Sequence, residues 1–412
     1  MSHGAEDGRP PRVLWITRNG PGANPAGAEV YSLGLLEAVA DAGASVTSLG
    51  LGPDGDDRAA DRGRGASVDW RIVRARERGT LRSLASKLPL VAARASPPPL
   101  ADTLSRVLEE QEFDVVAFDN YVAGWALDAV RRSGRKPKRA VYVAHNDETR
   151  LAADIAQNFA GDPLRRLALK LNAAKIRRLE TKLLRRADLL VTLTEPDRDQ
   201  LLPRNPDLEA IVLPPGYGDR RRASRRITAE VPRRIAMVGS VRWIAKRMNV
   251  AAFLEAADRR LAEAGITLDV IGDVPDDFRA EWEPRLAATR FRGFVDDLAE
   301  EMAATRLGLV VEATGGGFKL KTLDYIFNRV PVAALAGSSE GLPRAVTDTF
   351  LVAGDMAGLT DRIIAAIDDF DSLNARQEAA FAAANDVFDW SQNGRRFLAA
   401  ITSLRTDRAR PR

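Results

Sequence analysis

The chain has 412 residues, 45% of them apolar, and its 61 basic and 57 acidic side chains leave a net charge of only +4. At about 100 to 200 residues per domain, this length favours two domains, and the nearly balanced charge argues against a nucleic-acid partner. Because the sequence contains no cysteine, and its two histidines, His3 and His145, lie far apart in the chain, it excludes disulfides, thiolate chemistry and multi-histidine metal clusters.

The first apolar run, from Val13, stops at Arg18 and is too short for a signal-peptide core. No stretch reaches the roughly 18 to 20 consecutive apolar residues that would span a bilayer. We therefore expect a soluble, cytoplasmic protein.

Short runs rich in Val, Ile and Leu alternate with longer segments of helical spacing, which is the pattern of βαβ units around parallel sheets. The pattern predicts an α/β chain with two series of strands. The first series covers residues 13–17, 45–49, 114–119, 140–144, 189–193 and 210–213, and the second covers 235–238, 268–271, 290–293, 307–311 and 330–334.

An arginine-rich stretch between the two series opens with Pro214, Pro215 and Gly216 and has no apolar periodicity, which indicates a domain linker. We therefore predict an N-terminal domain over residues 1–213, a linker over 214–233 and a C-terminal domain over 234–385. Residues 386–412 are predicted to form a C-terminal helix that returns to the N-terminal domain.

The loop after the first strand holds Gly20, Gly22 and Gly27, followed by an amphipathic helix over residues 30–42. Glycines at this point let a ligand approach the backbone at the carboxyl end of a strand, although a tight turn with packing glycines explains them equally well. The spacing is not GxGxxG, and the second strand ends without an acidic residue to hold a ribose. Both features argue against a nicotinamide cofactor.

His145 follows the fourth strand in the sequence Val-Ala-His-Asn-Asp-Glu, residues 143–148. A lone histidine is more often structural than functional, but the carboxyl end of a strand faces the ligand crevice of an α/β sheet. The adjacent Asp147 and Glu148 would orient the imidazole or act as bases themselves.

The seventh strand runs into Gly239 and Ser240, and a helix begins near Asn249. Arg242 and Lys246 lie in the loop between, so two cations and a helix amino terminus would converge, as a phosphate requires. A solvated basic loop is the alternative explanation.

The most specific motif covers residues 312–331, where three consecutive glycines follow a strand and precede a helix. Their amides can point at an anion while Lys319 or Lys321 supplies positive charge, and Asp324 could bind a diol. The spacing is not that of a Walker loop, and a flexible turn is the alternative. After Lys182 the only lysines in this arginine-rich chain are Lys246, Lys319 and Lys321, all in these two loops.

Taken in order, these segments resemble the retaining, nucleotide-sugar-dependent glycosyltransferases of family four, which have two Rossmann-like domains facing each other across a cleft, the GT-B architecture. The resemblance covers nearly the whole chain and rests on order and spacing rather than on one piece. The segments that carry it are residues 27–29, 145–146, 186–195 and 213–216 in the N-terminal half, and 238–240, 292–298, 315–332, 337–341 and 388–390 in the C-terminal half.

The resemblance implies that a nucleotide sugar of the UDP or GDP type binds the C-terminal domain and the acceptor binds the N-terminal one. His145 would lie beside the transferred sugar, and Arg242 and Lys246 would stabilise the leaving diphosphate, so no metal or other cofactor is required. The donor-binding residues would be Gly239, Ser240, Phe294, Val295, Gly315, Gly316, Gly317, Phe318, Lys319, Lys321 and Asp324, and the acceptor-binding residues Gly27, Glu29, Asn146, Asp147 and Glu148.

The sequence departs from the family at two acidic positions. Family members often carry two glutamates eight positions apart, where this chain has Gly316 and Asp324. Gly316 cannot act as an acid, so a backbone amide would replace that side chain. If the reaction inverts instead of retaining, a base is required, and the candidates are Asp119, Asp147 and Glu148.

The expected function is sugar transfer, with retention, to a cell-surface glycan, a lipid-linked precursor or a small hydroxyl acceptor. The alternatives are a nucleotide-sugar epimerase and a binding protein without turnover. Residues 164–186 combine leucines at helical spacing with a strongly basic face, and residues 81–93 form a second basic, apolar segment. Such a face would lie on the anionic inner surface of the cell membrane. The alternative is a domain helix whose leucines pack on the sheet and whose cations are solvated.

Overall fold

The computed structural model of the protein describes residues 9–21, 27–52, 68–159, 162–242, 244–312 and 318–403. The chain separates into two compact units, each with its own parallel sheet. The first unit comprises the chain up to Gly216 together with the segment from Asp389 onward, and the second comprises residues 217–388.

The first unit has a seven-stranded sheet in the order β3-β2-β1-β4-β5-β6-β7, with every neighbouring pair parallel. Its strands are β1 (Arg12–Asn19), β2 (Ser45–Gly52), β3 (Val68–Arg74), β4 (Val115–Asp119), β5 (Arg139–Ala144), β6 (Leu189–Thr192) and β7 (Glu209–Val212). Its α-helices are α1 (Gly27–Asp41), α2 (Thr80–Leu84), α3 (Leu90–Arg94), α4 (Pro98–Glu110), α5 (Leu127–Arg132), α6 (Glu148–Asn158), α7 (Pro163–Arg186), α8 (Glu195–Leu201) and, near the end of the chain, α16 (Trp390–Ser403). Short 3₁₀ turns cover Tyr121–Ala126 and Leu202–Arg204.

The second unit has a six-stranded sheet in the order β10-β9-β8-β11-β12-β13, also parallel throughout. Its strands are β8 (Arg234–Val238), β9 (Thr267–Ile271), β10 (Thr289–Gly293), β11 (Leu307–Val310), β12 (Val332–Leu335) and β13 (Leu351–Ala353). Its helices are α9 (Ile244–Glu263), α10 (Asp276–Trp282), α11 (Leu298–Ala303), α12 (Lys321–Phe327), α13 (Arg344–Thr347), α14 (Met356–Ala366) and α15 (Phe370–Asn385), and a 3₁₀ turn covers Glu283–Arg285.

Both sheets follow the strand order of the Rossmann fold, in which the third, second, first, fourth, fifth and sixth strands are neighbours. The predicted α/β class with two Rossmann-like sheets is therefore confirmed. In each sheet the strand order reverses beside the first strand, between β1 and β4 and between β8 and β11. Open α/β sheets bind their ligands outside the carboxyl ends of the strands at this point.

The central strands contain continuous apolar runs, as expected for a parallel sheet that helices cover on both faces. In β1, the four side chains from Val13 to Ile16 are fully buried. Leu14 and Ile16 belong to the same core cluster as α4 and α7, whereas the Trp15 ring contacts Phe397 of α16 on the other face. The continuous apolar run in the sequence is thus the signature of a strand buried on both sides.

Helix α16 packs closely on α1 within the first unit. A Cβ atom added at Gly394 would lie 2.0 Å from the Ala38 carbonyl oxygen, so only glycine fits at this crossing. Trp390, at the start of α16, contacts the Tyr31 ring with 5.8 Å between centroids. The last helix therefore completes the core of the first unit.

The arginine-rich stretch after Gly216 differs from a solvated linker because its arginines are hydrogen-bonded within the second unit. Arg221 donates to the Asn385 and Phe388 carbonyl oxygens, and Arg225 donates to the carbonyl oxygens of Arg329, Ala303 and Thr305. Burial lowers the pKa of Arg225 to about 10. This segment lacks apolar periodicity because its arginine side chains donate hydrogen bonds to backbone carbonyl oxygens, and it is therefore not a free linker.

Among the residues that the structure describes, no helix has both the length and the apolar character needed to cross a bilayer.

Candidate functional site

A small crevice opens at the reversal point of the second sheet, beyond the ends of β8 and β11. Its lining includes Gly239, Ser240, Lys246, Glu312 and Lys321. Gly239 has a φ of +131°, a backbone conformation that favours glycine, and its carbonyl would lie 2.6 Å from a Cβ atom added at Gly272. The backbone at the end of β8 is therefore packed tightly against the neighbouring strand, and α9 begins immediately beyond it.

Basic side chains from two elements are electrostatically coupled at this crevice. Burial is the main cause that lowers the pKa of Lys319 and of Lys321, and the charge of Lys246 lowers both further. Glu312 opposes this effect, because its carboxylate raises both pKa values and its Oε1 accepts a hydrogen bond from Lys321 Nζ. Positive charges from α9 and from the start of α12 thus make it harder to keep Lys319 and Lys321 protonated, and a bound anion would relieve this.

Glu312 holds the counter-charge in this cluster. The residue is 6% exposed, and its second oxygen, Oε2, has no hydrogen-bond partner among the described residues. A buried oxygen without a partner is costly, so a ligand group that donates a hydrogen bond to it would be stabilised.

Arg242 occupies a different environment from Lys246. Its side chain is 72% exposed, and its guanidinium pairs with the Asp273 carboxylate. In the structure the charge of Arg242 is thus already balanced by an acid, whereas Lys246 lines the crevice.

Asp324 lies in α12, next to Tyr217 at the start of the second unit. Burial and the charge of Asp219 raise the pKa of the Asp324 carboxyl to about 7, and a hydrogen bond with Tyr217 opposes this shift. The Tyr217 ring stacks on Phe327 with centroids 4.6 Å apart, which fixes its position. A carboxyl group held in this way is suited to hydrogen-bond hydroxyl groups.

Phe294 is 82% exposed, directly after β10, where Gly293 has a φ of +72°. Val295 packs instead against the core of the unit. An exposed ring at the carboxyl edge of the sheet offers a flat apolar face, which is suited to stacking on a planar group.

In the first unit, Asp119 joins three strands at the reversal point. His145 Nε2 lies 2.7 Å from Asp119 Oδ1, and Trp15 Nε1 donates to Asp119 Oδ2 at 3.0 Å. Because a carboxylate only accepts hydrogen bonds, Nε2 must carry the proton, and Nδ1 of the neutral ring is then the acceptor. His145 is 5% exposed, and its Nδ1 has no partner within the described part of the chain.

Tyr31 and Glu148 border this histidine. The Tyr31 ring meets the imidazole edge-on with centroids 5.2 Å apart, and its hydroxyl donates to the Leu213 carbonyl oxygen. Glu148 accepts hydrogen bonds from the side-chain amides of Asn120 and Asn146, and burial raises its pKa. The predicted residues Asn146 and Glu148 are thus joined to each other by a side-chain hydrogen bond.

Asp147 is held by structural contacts. Its Oδ1 caps α6 by accepting from the Arg150 backbone N–H, and its Oδ2 pairs with Arg204 at 2.5 Å. Arg204 also pairs with Glu180, whose side chain is fully buried and accepts from the backbone N–H groups of Glu148 and Thr149. The carboxylate of Asp147 therefore stabilises the start of α6.

Two family models match the sequence. The model described as Glycosyltransferase Family 4 matches residues 25–221, and the model described as Glycosyl transferases group 1 matches residues 232–369. The chain is a glycosyltransferase of the family 4, group 1 type. No curated protein sequence matches this chain.

Solved structures show the fold of this glycosyltransferase to be GT-B. Sucrose-phosphate synthase from Thermosynechococcus elongatus superposes with a TM-score of 0.70 at 18% identity, covering 96% of this chain and 99% of that one. WaaG, a glycosyltransferase involved in lipopolysaccharide biosynthesis, gives 0.63 at 19% identity, with coverages of 95% and 100%. Anabaena HepE in complex with UDP-glucose gives 0.63 at 15% identity, with the same coverages. The family and the fold expected from the sequence are confirmed.

Of the donor residues predicted for this glycosyltransferase, the structure gathers Gly239, Ser240, Lys246 and Lys321 around one crevice. Gly315, Gly316 and Gly317 lie outside the described residues. Phe318, which follows them, contacts the Phe388 ring at 5.5 Å. Of the acceptor residues, Gly27 begins α1, and Glu29 in its first turn accepts a hydrogen bond from Asn19 at the end of β1.

The sequence analysis missed three residues of these sites. Glu312 was noted only as the start of a motif, and Glu180 and Arg204 were not singled out. Glu312 pairs with Lys321, 9 residues away, and Glu180 pairs with Arg204, 24 residues away, and no local sequence pattern reveals how these elements pack. The isolated glutamate in the otherwise basic segment 164–186 was the available signal for Glu180.

Proposed function

We propose that the protein transfers a sugar, with retention, from a nucleoside diphosphate sugar to a hydroxyl acceptor. The observation that carries the proposal is the coupled lysine cluster at the reversal point of the second sheet. A diphosphate is the anion that this cluster fits, because it offers several oxygens to Lys246, Lys319 and Lys321 at once. The UDP and UDP-glucose complexes of HepE support a uridine nucleotide.

Catalysis in this proposal is electrostatic. As the bond between the anomeric carbon and the leaving oxygen breaks, negative charge grows on the diphosphate, and the lysine cations stabilise it. Binding of the anion would also raise the pKa of Lys319 and of Lys321, since an opposite charge favours the protonated form of a lysine. The mechanism requires no metal, and Arg242 would join it by exchanging Asp273 for the diphosphate.

The second unit would hold the donor, with Phe294 and Val295 flanking the base, Asp324 on the ribose and the Gly315 to Phe318 segment on the distal phosphate. The first unit would hold the acceptor through Gly27, Glu29, Asn146 and Glu148. The Nδ1 atom of His145 would accept a hydrogen bond from a hydroxyl group of the sugar. Retention fits a site in which Asp119, Asp147 and Glu148 are all engaged by other side chains. If the product proves inverted, the same three acids are the base candidates.

The acceptor class we propose is a cell-surface glycan or a lipid-linked precursor, with the protein acting in the cytoplasm at the inner face of the membrane. The role of WaaG in lipopolysaccharide biosynthesis supports this class, whereas sucrose-phosphate synthase keeps a small acceptor in consideration.

Thermal-shift measurements with UDP, GDP and ADP sugars test the donor, and release of free nucleotide tests turnover. We expect a UDP sugar to stabilise the protein and to be consumed, also in the presence of EDTA. Lys246→Ala should lower kcat at least about a hundredfold with the melting temperature unchanged. Arg259→Ala, on an exposed cation of the same helix α9, is the matched control. A wild type that binds the donor but releases no nucleotide, with any acceptor, would instead identify a binding protein.

A further inference from the structure

The first unit carries a surface where large apolar side chains face solvent. Nine large apolar side chains are exposed among the described residues, and five of them, all leucines, lie on α2 and α7. Leu81 and Leu164 are 84% and 77% exposed, more than half of Leu167 and Leu171 is also exposed, and Leu84 is the fifth. We call these five leucines, with the basic residues beside them, the α2–α7 surface.

Hydrogen bonds hold the two helices of this surface together. Lys175 Nζ of α7 donates to the carbonyl oxygen of Leu84, the last residue of α2, at 2.9 Å and to that of Ser86 at 2.7 Å. The Leu90 backbone N–H donates to Asn172 Oδ1 at 2.8 Å. The end of α2 is therefore anchored on α7, about one turn from the exposed Leu171. We infer that the exposed leucines of both helices belong to one surface.

Helix α7 has two different halves. Its second half buries Ile176, Leu179 and Leu183 in the core of the unit. In its first half, the leucines at positions 164, 167 and 171 recur at spacings of three and four, which places them on one face of the helix. That face is exposed, so the leucines there contribute nothing to the core.

Helix α7 is strongly basic. The helix holds nine basic residues and one acid, Glu180, whereas the whole chain has an excess of only four positive charges. Glu180 is buried and paired with Arg204, so it does not neutralise the exposed face. Arg165, Arg166 and Lys170 are exposed among the leucines, and Arg82 is exposed on α2.

We propose that the α2–α7 surface docks the protein on an anionic phospholipid membrane. The leucines enter the boundary between headgroups and acyl chains while the guanidinium and ammonium groups contact lipid phosphates. A second copy of the chain does not suit this surface, because a twofold axis would bring the same cations face to face. This proposal rests on the proposed function, because membrane docking would let the enzyme reach a lipid-linked acceptor.

Neither the charges nor the leucines suffice alone. Each cation near an anionic surface strengthens binding about fivefold, and this attraction decreases as salt screens it. The leucines add apolar burial that salt does not weaken. Docking should therefore need anionic lipid and be only partly reversed by high salt.

Vesicle sedimentation of the full-length chain tests the proposal without any nucleotide sugar. We expect the protein to bind vesicles of phosphatidylcholine containing about one part in four of phosphatidylglycerol, and to remain in solution with phosphatidylcholine alone.

Two triple variants separate the two contributions. Arg165→Gln, Arg166→Gln and Lys170→Gln together should weaken binding about a hundredfold. The matched control replaces three exposed arginines of the second unit, Arg259→Gln, Arg344→Gln and Arg362→Gln, which have the same charge change and should bind as the wild type does. Leu164→Ser, Leu167→Ser and Leu171→Ser together should weaken binding at least about tenfold, whereas Met248→Ser, on an exposed side chain of the second unit, should not.

Equal binding to neutral and anionic vesicles, no binding to either, or full binding by both triple variants overturns the proposal. A concentration-dependent dimer that the leucine variant abolishes assigns the surface to a second copy and also overturns it. Failure of the proposed function alone would appear as vesicle binding without nucleotide release. Failure of the membrane proposal alone would appear as nucleotide release without vesicle binding.

Discussion

Asp119 accepts hydrogen bonds from His145 Nε2, directly after β5, at 2.7 Å and from Trp15 Nε1, on β1, at 3.0 Å. This arrangement fixes both the orientation of the imidazole and the nitrogen that carries its proton. Replacing the carboxylate with an amide, Asp119→Asn, allows the amide to donate to Nε2 and so favours the other tautomer.

We expect Asp119→Asn to lower kcat about tenfold to a hundredfold, because the acceptor nitrogen of His145 is then misplaced. Nitrogen NMR of the imidazole, simplified because the chain has only two histidines, should report the change of tautomer. An unchanged tautomer together with unchanged kcat would show that Asp119 has only a packing role.

Glu312→Gln should shift the pH dependence of UDP binding to lower pH. Burial lowers the pKa of Lys321 and the Glu312 carboxylate raises it, so loss of that carboxylate lowers the pKa further. Lys321 then loses its proton at a lower pH, and affinity falls with it. Calorimetric titration across the alkaline range measures the shift, and Glu263→Gln, an exposed acid on α9, is the control. Identical pH profiles would contradict the coupling.

Relative to the wild type, Asp324→Asn should stabilise the protein more at pH 8 than at pH 5. The pKa of Asp324 is raised to about 7, so the folded state holds its proton at pH values where the unfolded chain has released it. The free energy of unfolding of the wild type therefore falls as the pH rises from about 4, the pKa of the carboxyl group in the unfolded chain, towards 7. After a reduction for solvent screening, we expect this loss to be about 2 kcal/mol. Urea unfolding of both proteins measures this difference, and Asp277→Asn, on an exposed acid, should not produce it.

Arg204→Ala should destabilise the first unit by about 3 kcal/mol, because it leaves two carboxylates, Glu180 and Asp147, without their counter-charge. Denaturant unfolding measures the loss. Arg150→Ala removes an exposed pair with Asp154 and should cost less than about 0.5 kcal/mol. Similar effects of the two substitutions would mean that the buried contacts around Glu180 are dispensable.

The sequence predicted eleven strands but missed two, β3 and β13. Both lie at an edge of their sheet. Strand β3 includes charged residues, Asp69, Arg71 and Arg74, and is only partly buried, whereas β13 has three residues. Strand β3 therefore lacks the continuous apolar run that identifies a strand covered on both faces, and β13 is apolar but very short.

The candidate site was predictable where composition carried the information. Lysines are rare in the second half of the chain, and this rarity pointed to Lys246 and Lys321, which do line one crevice. The engagement of Arg242 by Asp273 was not predictable, because an ion pair between residues 31 positions apart depends on the packing of two loops. The same reason hid the partnership of Asp147 with Arg204.

Helix α16 gives the chain a particular order of assembly. Residues 217–388 are inserted between the two segments that make up the first unit. During synthesis, the groove on α1 that receives Gly394 stays open to water until the ribosome has made the entire second unit. A separately expressed first unit should therefore join Gly216 directly to Asp389, and a version that stops at Gly216 would leave Tyr31 and Ala38 uncovered.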